Sequence, residues 1–180
     1  ILPMLDWALV FISQYLKNRN LHIAEFLPNH WGYYLAAKNI WHQAQYNIIA
    51  PLYDTEVATN VVNQNDLEYN TPNNTLDVAL LFEALDRAVD PIMVLKKVHT
   101  LLKPGGLCFI TALLSSGFEV QVLKDDSEIF IPPERMNILS YDGMIDLIDT
   151  VGGFEILEFS TPGLLDIENV REKLDVSSNS

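Results

Sequence analysis

The side chains that could do chemistry here are few and mostly ruled out by their spacing. His22, His30, His42 and His99 are too scattered for a metal-ligand pattern, so no metal site is expected. Cys108 stands inside the apolar run Leu107 to Leu113 and reads as an inert small hydrophobe. As the single cysteine it permits neither an internal disulfide nor a multi-cysteine metal site, and it is compatible with a reducing, cytoplasmic location. Ser115-Ser116-Gly117 lacks the context of a nucleophile elbow, which argues against serine hydrolysis. Asp125-Asp126-Ser127-Glu128 reads as a solvated turn, not a calcium loop.

Charge narrows the partners. In 180 residues, acids outnumber bases 24 to 11, for a formal net charge of -13. A sequence-independent grip on nucleic acid needs Lys and Arg to displace counterions from phosphates, so that class is disfavoured. Binding to an anionic membrane surface is disfavoured for the same reason. A small acidic ligand is not excluded, because local fields can oppose the net charge. The apolar start, Ile1 to Leu16, has no basic leader, carries Asp6, and is shorter than the roughly 20 apolar residues of a membrane span. The absence of an initiator Met points to a trimmed chain or a fragment. Oligomeric state is not legible.

The elements that must position any site alternate between short apolar runs and helical patterns, the signature of a parallel sheet covered by helices. Hydrophobic residues at 49% can supply its core. A first helix is predicted over Met4 to Asn18, with Pro3 in its first turn and Leu5, Leu9, Ile12 and Leu16 on one face. Its Trp7, Leu9, Phe11 and Ile12 are expected to pack on the sheet or a partner. A strand over Leu21 to Leu27 leads through Pro28-Asn29-His30 into a helix from Trp31 to Gln45. Tyr46 to Leu52 is a second strand, and Asn60 to Val62 a weaker third. Leu76 to Phe82 is nearly continuously apolar, as a strand buried on both faces should be. Asp90-Pro91 opens a helix that Lys103-Pro104-Gly105-Gly106 stops, and Leu107 to Leu113 is the next strand. Ser115 to Asn137 reads as a long loop, the kind of segment that binds ligands. Ser140 caps a helix from Tyr141 to Val151 that ends at Gly152-Gly153. Phe154 to Phe159 is predicted as a final strand, Thr161-Pro162-Gly163 as a turn, and the polar end as a frayed tail. The whole is expected to form one domain: an N-terminal helix over 1–20, an α/β core over 21–163 and a tail over 164–180.

The stretch Asp77-Val78-Ala79-Leu80-Leu81-Phe82-Glu83-Ala84-Leu85-Asp86-Arg87-Ala88-Val89-Asp90-Pro91, followed by Leu101-Leu102-Lys103-Pro104-Gly105-Gly106-Leu107-Cys108-Phe109-Ile110-Thr111, resembles class I S-adenosylmethionine-dependent methyltransferases. It is similar to that family's fourth strand, the following helix and the turn into the fifth strand. Pro132-Pro133-Glu134-Arg135-Met136-Asn137-Ile138-Leu139-Ser140 and Gly152-Gly153-Phe154 resemble later segments of one branch. The resemblance implies a Rossmann-like, doubly wound, mostly parallel sheet flanked by helices. No run suits the usual last strand after Pro162, so that strand is expected to be missing.

The resemblance also implies where S-adenosylmethionine would bind. The family's first motif is an acid followed by a glycine-rich turn; here it reads Glu25-Phe26-Leu27-Pro28-Asn29-His30-Trp31-Gly32. Glu25 takes the acid's place, near the methionyl amino group. Leu27 and Asn29 stand where glycines are expected, and Gly32 opens the helix. Two readings stay open: a divergent cofactor pocket, or a turn filled by Leu27 and Trp31. Asp54 resembles the acid that accepts from the ribose hydroxyls, Asp66-Leu67 the pair beside the adenine, and Phe82 a residue shaping the methyl-donor pocket or else core. Many relatives carry His where this chain has Arg87 and Arg135; an arginine does not act as a general base at neutral pH.

The function these readings imply is methyl transfer from S-adenosylmethionine to a small-molecule acceptor. The acceptor would lie under the Ser115 to Asn137 loop, near Phe118, Glu119, Arg135 and Asn137; no catalytic base stands out. The alternative is a catalytically inactive methyltransferase-like domain, a pseudoenzyme, serving as a binding or protein-interaction module. The residues of the Leu27 to Gly32 turn discriminate between them.

Overall fold

The computed structural model describes residues 2–17, 20–28, 32–40, 44–49, 71–124, 127, 129 and 134–160. The chain divides into two compact units, Ile1–Ala112 and Leu113–Ser180.

Among the described residues, the first unit is built on four parallel strands: β1 (His22–Phe26), β2 (Gln45–Ile49), β3 (Leu76–Phe82) and β4 (Leu102–Thr111). Their order across the sheet is β2-β1-β3-β4. Side chains alternate between faces along a strand, so register decides which residues share a face. Ile23 lies opposite Tyr46 and Val78, and Glu25 opposite Ile48 and Leu80. That face carries Phe82, Leu107 and Phe109 as well. It meets Leu5, Ala8 and Ile12 of α1 (Leu2–Tyr15) and Tyr33 and Ala37 of α2 (Gly32–Ile40). Each fully buried leucine or phenylalanine in such a cluster contributes about 1.5–3 kcal/mol. The other face, with Ala24, Phe26, Ala79 and Leu81, is buried too, which is why β3 reads as an unbroken apolar run.

α1 packs on the sheet, as expected, through aromatic edges: Trp7 and Phe11 stand 5.2 and 6.3 Å from Phe109, centroid to centroid. Its buried stripe is Leu5, Ala8 and Ile12; Leu9, expected in the stripe, is turned outward. α3 (Pro91–Leu101) begins where predicted, with Asp90 Oδ1 accepting from Met93 N–H at 2.9 Å and Pro91 in the first turn. Leu95, Val98 and Leu101 form its buried face.

Lys103-Pro104-Gly105-Gly106 departs from expectation. The helix has already ended, because Leu102 is extended (φ −67°, ψ 140°) and pairs with Leu76. The next aligned pair is Val78 with Leu107, so the Pro-Gly-Gly segment is a bulge inside β4. A bulge tolerates a proline because no ladder donor is required there. Gly105 takes a left-handed φ of +77°. A Cβ on Gly106 would sit 3.0 Å from the Lys103 carbonyl oxygen and 3.2 Å from that of Asp77. At the amino ends of β1 and β3, Asp77 accepts from His22 N–H (2.9 Å) and from Lys103 Nζ (2.7 Å).

The second unit contains α4 (Phe118–Leu123) and α5 (Tyr141–Val151). α5 matches its predicted span; Ser140 Oγ accepts from Gly143 N–H at 3.0 Å and Gly152 follows at φ +72°. α4 lies in the stretch read as loop; Val120 and Leu123, three apart, are its buried residues. Residues 154–159, expected as a strand, form none. Ile156 and Leu157 are both exposed there, and a strand forms only where a neighbour supplies a ladder. The expected strand over Asn60 to Val62, the Thr161-Pro162-Gly163 turn and the tail lie outside the described residues. Among the described residues, no helix is long and apolar enough to cross a membrane.

Candidate functional site

From β1 the chain crosses to β2 on one side of the sheet; β3 and β4 lie on the other. The strand order therefore reverses between β1 and β3. In open parallel sheets, ligands bind outside the carboxyl ends of the strands at such a switch point. Here those ends are Glu25-Phe26-Leu27 from β1 and Phe82-Glu83 from β3.

Glu25 is fully buried. Its Oε2 accepts from the Tyr46 hydroxyl at 2.9 Å. Its Oε1 is buried and has no hydrogen-bond partner among the described residues. Burial raises the carboxyl from its ordinary 4.5 to about 8, although the Tyr46 hydrogen bond and the positive charge of Arg87 pull it down. Burial, followed by the same carboxylate, pushes the Tyr46 phenol well above its usual value. An orphaned oxygen on a buried carboxyl asks for a donor, and an ammonium supplies one.

The two strand ends share an unusual backbone. Leu27 has φ +48° and Glu83 φ +51°, in the left-handed region that residues with a Cβ seldom adopt. Arg87 reaches both: its Nε donates to the Glu83 carbonyl at 2.9 Å and its Nη2 to the Leu27 carbonyl at 2.6 Å. The Glu83 N–H in turn is shared between the carbonyl (2.9 Å) and Oγ1 (3.1 Å) of Thr111 at the end of β4. The ends of three strands are thus joined by hydrogen bonds.

A family model for the methyltransferase domain matches residues 12–157. The chain belongs to that family. Solved structures agree on the fold. The methyltransferase domain superposes on an S-adenosylmethionine-dependent methyltransferase of Mesorhizobium loti with a TM-score of 0.58 at 13% identity, covering 92% of this chain and 91% of that one. An S-adenosylmethionine-dependent methyltransferase of Thermotoga maritima gives 0.57 at 16% identity, with 81% and 70% covered. Human N-acetylserotonin methyltransferase, solved with S-adenosylmethionine, gives 0.56 at 13% identity, with 83% of this chain but 47% of that one covered. No curated protein matches the chain in sequence. The class I methyltransferase architecture expected from the residues is the one observed.

The methyltransferase domain places Glu25, Leu27 and Phe82 together at the carboxyl ends of β1 and β3. Gly32 is the first residue of α2. Phe82 is almost wholly buried and packs on Tyr33, ring centroids 4.6 Å apart, so it belongs to the core. Asn29, Trp31, Asp54, Asp66 and Leu67 lie outside the described residues. In the second unit, Phe118 opens α4 and is exposed, Glu119 accepts from Ser127 Oγ at 2.9 Å, and Arg135 and Asn137 are half-buried. Cys108 is in β4, with burial pushing its thiol to about 12, as suits an inert residue.

The partners of two residues in this region are not legible in the sequence. Tyr46 was visible only as the start of an apolar run; its pairing with Glu25 depends on strand register. Arg87 was visible as a departure from a histidine position, but nothing local shows that its partners are backbone carbonyls.

Proposed function

We propose that this domain transfers a methyl group from S-adenosylmethionine to a small-molecule acceptor. The observation that carries the reading is the buried Oε1 of Glu25 at the end of β1, without a partner among the described residues and close to the left-handed Leu27 at the switch point. When bound there, the cofactor supplies a methyl group activated by its positive sulfur.

Glu25 is the residue assigned to the methionyl ammonium. The turn Leu27 to Gly32, including Asn29, is assigned to the passage of the cofactor over the backbone. By the resemblance, Asp54 is assigned to the ribose hydroxyls and Asp66 with Leu67 to the adenine. Phe82 supports this end of the sheet from within, through Tyr33. The acceptor is assigned to Phe118, Glu119, Arg135 and Asn137. The contribution asked of the chain is orientation and exclusion of water, since in-line displacement at an activated methyl gains most from positioning.

Calorimetric titration with S-adenosylhomocysteine tests this. Binding tighter than about 1 mM, or more than about 4 kcal/mol, is expected. No heat and no thermal shift at that concentration would sink the enzyme reading and favour the non-catalytic module.

A further inference from the structure

We propose that Arg87 is a positioning residue for the turn after β1: one guanidinium holds the carbonyls of Leu27 and Glu83 together, and so keeps a leucine in a backbone conformation that glycine would adopt unaided. The two acceptors come from strand ends on either side of the switch point, and Leu27 is far from Arg87 in sequence. Both are left-handed, at φ +48° and +51°. Both bonds come from the same side chain, at 2.6 and 2.9 Å. A guanidinium presents its donors in a rigid fork, and a charged donor makes the stronger hydrogen bond. The direction of a carbonyl is set by the dihedrals of its own residue and the next peptide plane. Fixing the Leu27 carbonyl therefore fixes the turn that follows β1. The charge also lies within electrostatic reach of Glu25. A lysine would carry the charge but not the fork.

The test is a double-mutant cycle with two readouts. Wild type, Arg87→Met, Leu27→Gly and the double variant are compared for their unfolding constant in urea and their affinity for S-adenosylhomocysteine. Only the affinity readout rests on the proposed function; the unfolding readout stands without it. Arg87→Met is expected to lower both the folding constant and the affinity about tenfold or more. In the Leu27→Gly background the same substitution is expected to do far less, because glycine holds the left-handed turn by itself. Arg87→Lys is expected to bind at least fivefold more weakly than wild type. If Arg87→Met fails to fold, folding of the double variant supports the clamp and failure of both overturns it. Effects of Arg87→Met that are equal in the two backgrounds, within about a factor of two, overturn it. So does wild-type affinity in Arg87→Lys. If the wild type binds no S-adenosylhomocysteine, the cofactor reading falls, and the unfolding cycle alone decides for or against the clamp.

Discussion

The Tyr46 hydroxyl donates to Glu25 Oε2 at 2.9 Å, across two neighbouring strands and inside the core. Among the described residues, the other oxygen of that carboxyl has no hydrogen-bond partner. Removing the hydroxyl leaves both oxygens buried without a donor among the described residues. Leaving a buried polar group unsatisfied costs about 1–3 kcal/mol, more than the loss of an ordinary exposed hydrogen bond. Tyr46→Phe is expected to destabilise the domain by about that amount, read from urea denaturation. It should also raise the Glu25 carboxyl further, since the hydroxyl favours the charged form.

The raised carboxyl has a consequence for pH. Glu25 sits near 8 when folded against an ordinary 4.5. Between those values the folded chain holds a proton that the unfolded chain has released. Stability from this group is therefore fully present below about 4.5 and is lost progressively up to about 8, with no further change above. Glu25→Gln carries no such proton. Relative to that variant, the wild type should lose stability as pH rises from 5 to 8, measured as a change in urea midpoint. A constant difference between the two across that range would show that Glu25 is not protonated in the fold. The same substitution should weaken S-adenosylhomocysteine binding, because an amide holds an ammonium less well than a carboxylate.

Asp77 and Lys103 form an ion pair at 2.7 Å, but the two ends of it are not equivalent. The lysine side chain is 43% exposed and the aspartate 13%. Exposed pairs contribute about 0–1 kcal/mol, so Lys103→Met should change stability by less than about 1 kcal/mol. Asp77 also accepts the backbone N–H of His22, at the start of β1. Asp77→Ala removes that acceptor as well and is expected to cost about 1–3 kcal/mol. Thermal denaturation of the two variants separates the contributions; equal losses would mean that the bond to His22 carries no weight.

The local features of this protein were legible from its residues because their causes are local. A nearly unbroken apolar run makes β3, Asp90-Pro91 opens α3, and Ser140 with Gly152 bounds α5, each where the chemistry of caps and periodicity puts it. The motifs around Asp77 to Thr111 likewise pointed to the family, and the acid at Glu25 to the end of β1. The Pro-Gly-Gly segment shows where such reasoning stops: it looked like a helix stop, yet its role is set by the strand beside it, which leaves the extra residues bulging between Leu102 and Leu107.

What only the tertiary structure decided is which groups meet. Register between β1 and β2 put a tyrosine hydroxyl on Glu25, while burial, working against that hydrogen bond, pushes the carboxyl up to about 8. Folding across the switch point brought Arg87 to the Leu27 carbonyl, where a residue with a Cβ stands in a conformation that favours glycine. Caps and periodicities act between residues a few positions apart, so a sequence displays them. Pairings across strands depend on which segments become neighbours, and a buried carboxyl's charge depends on everything packed around it.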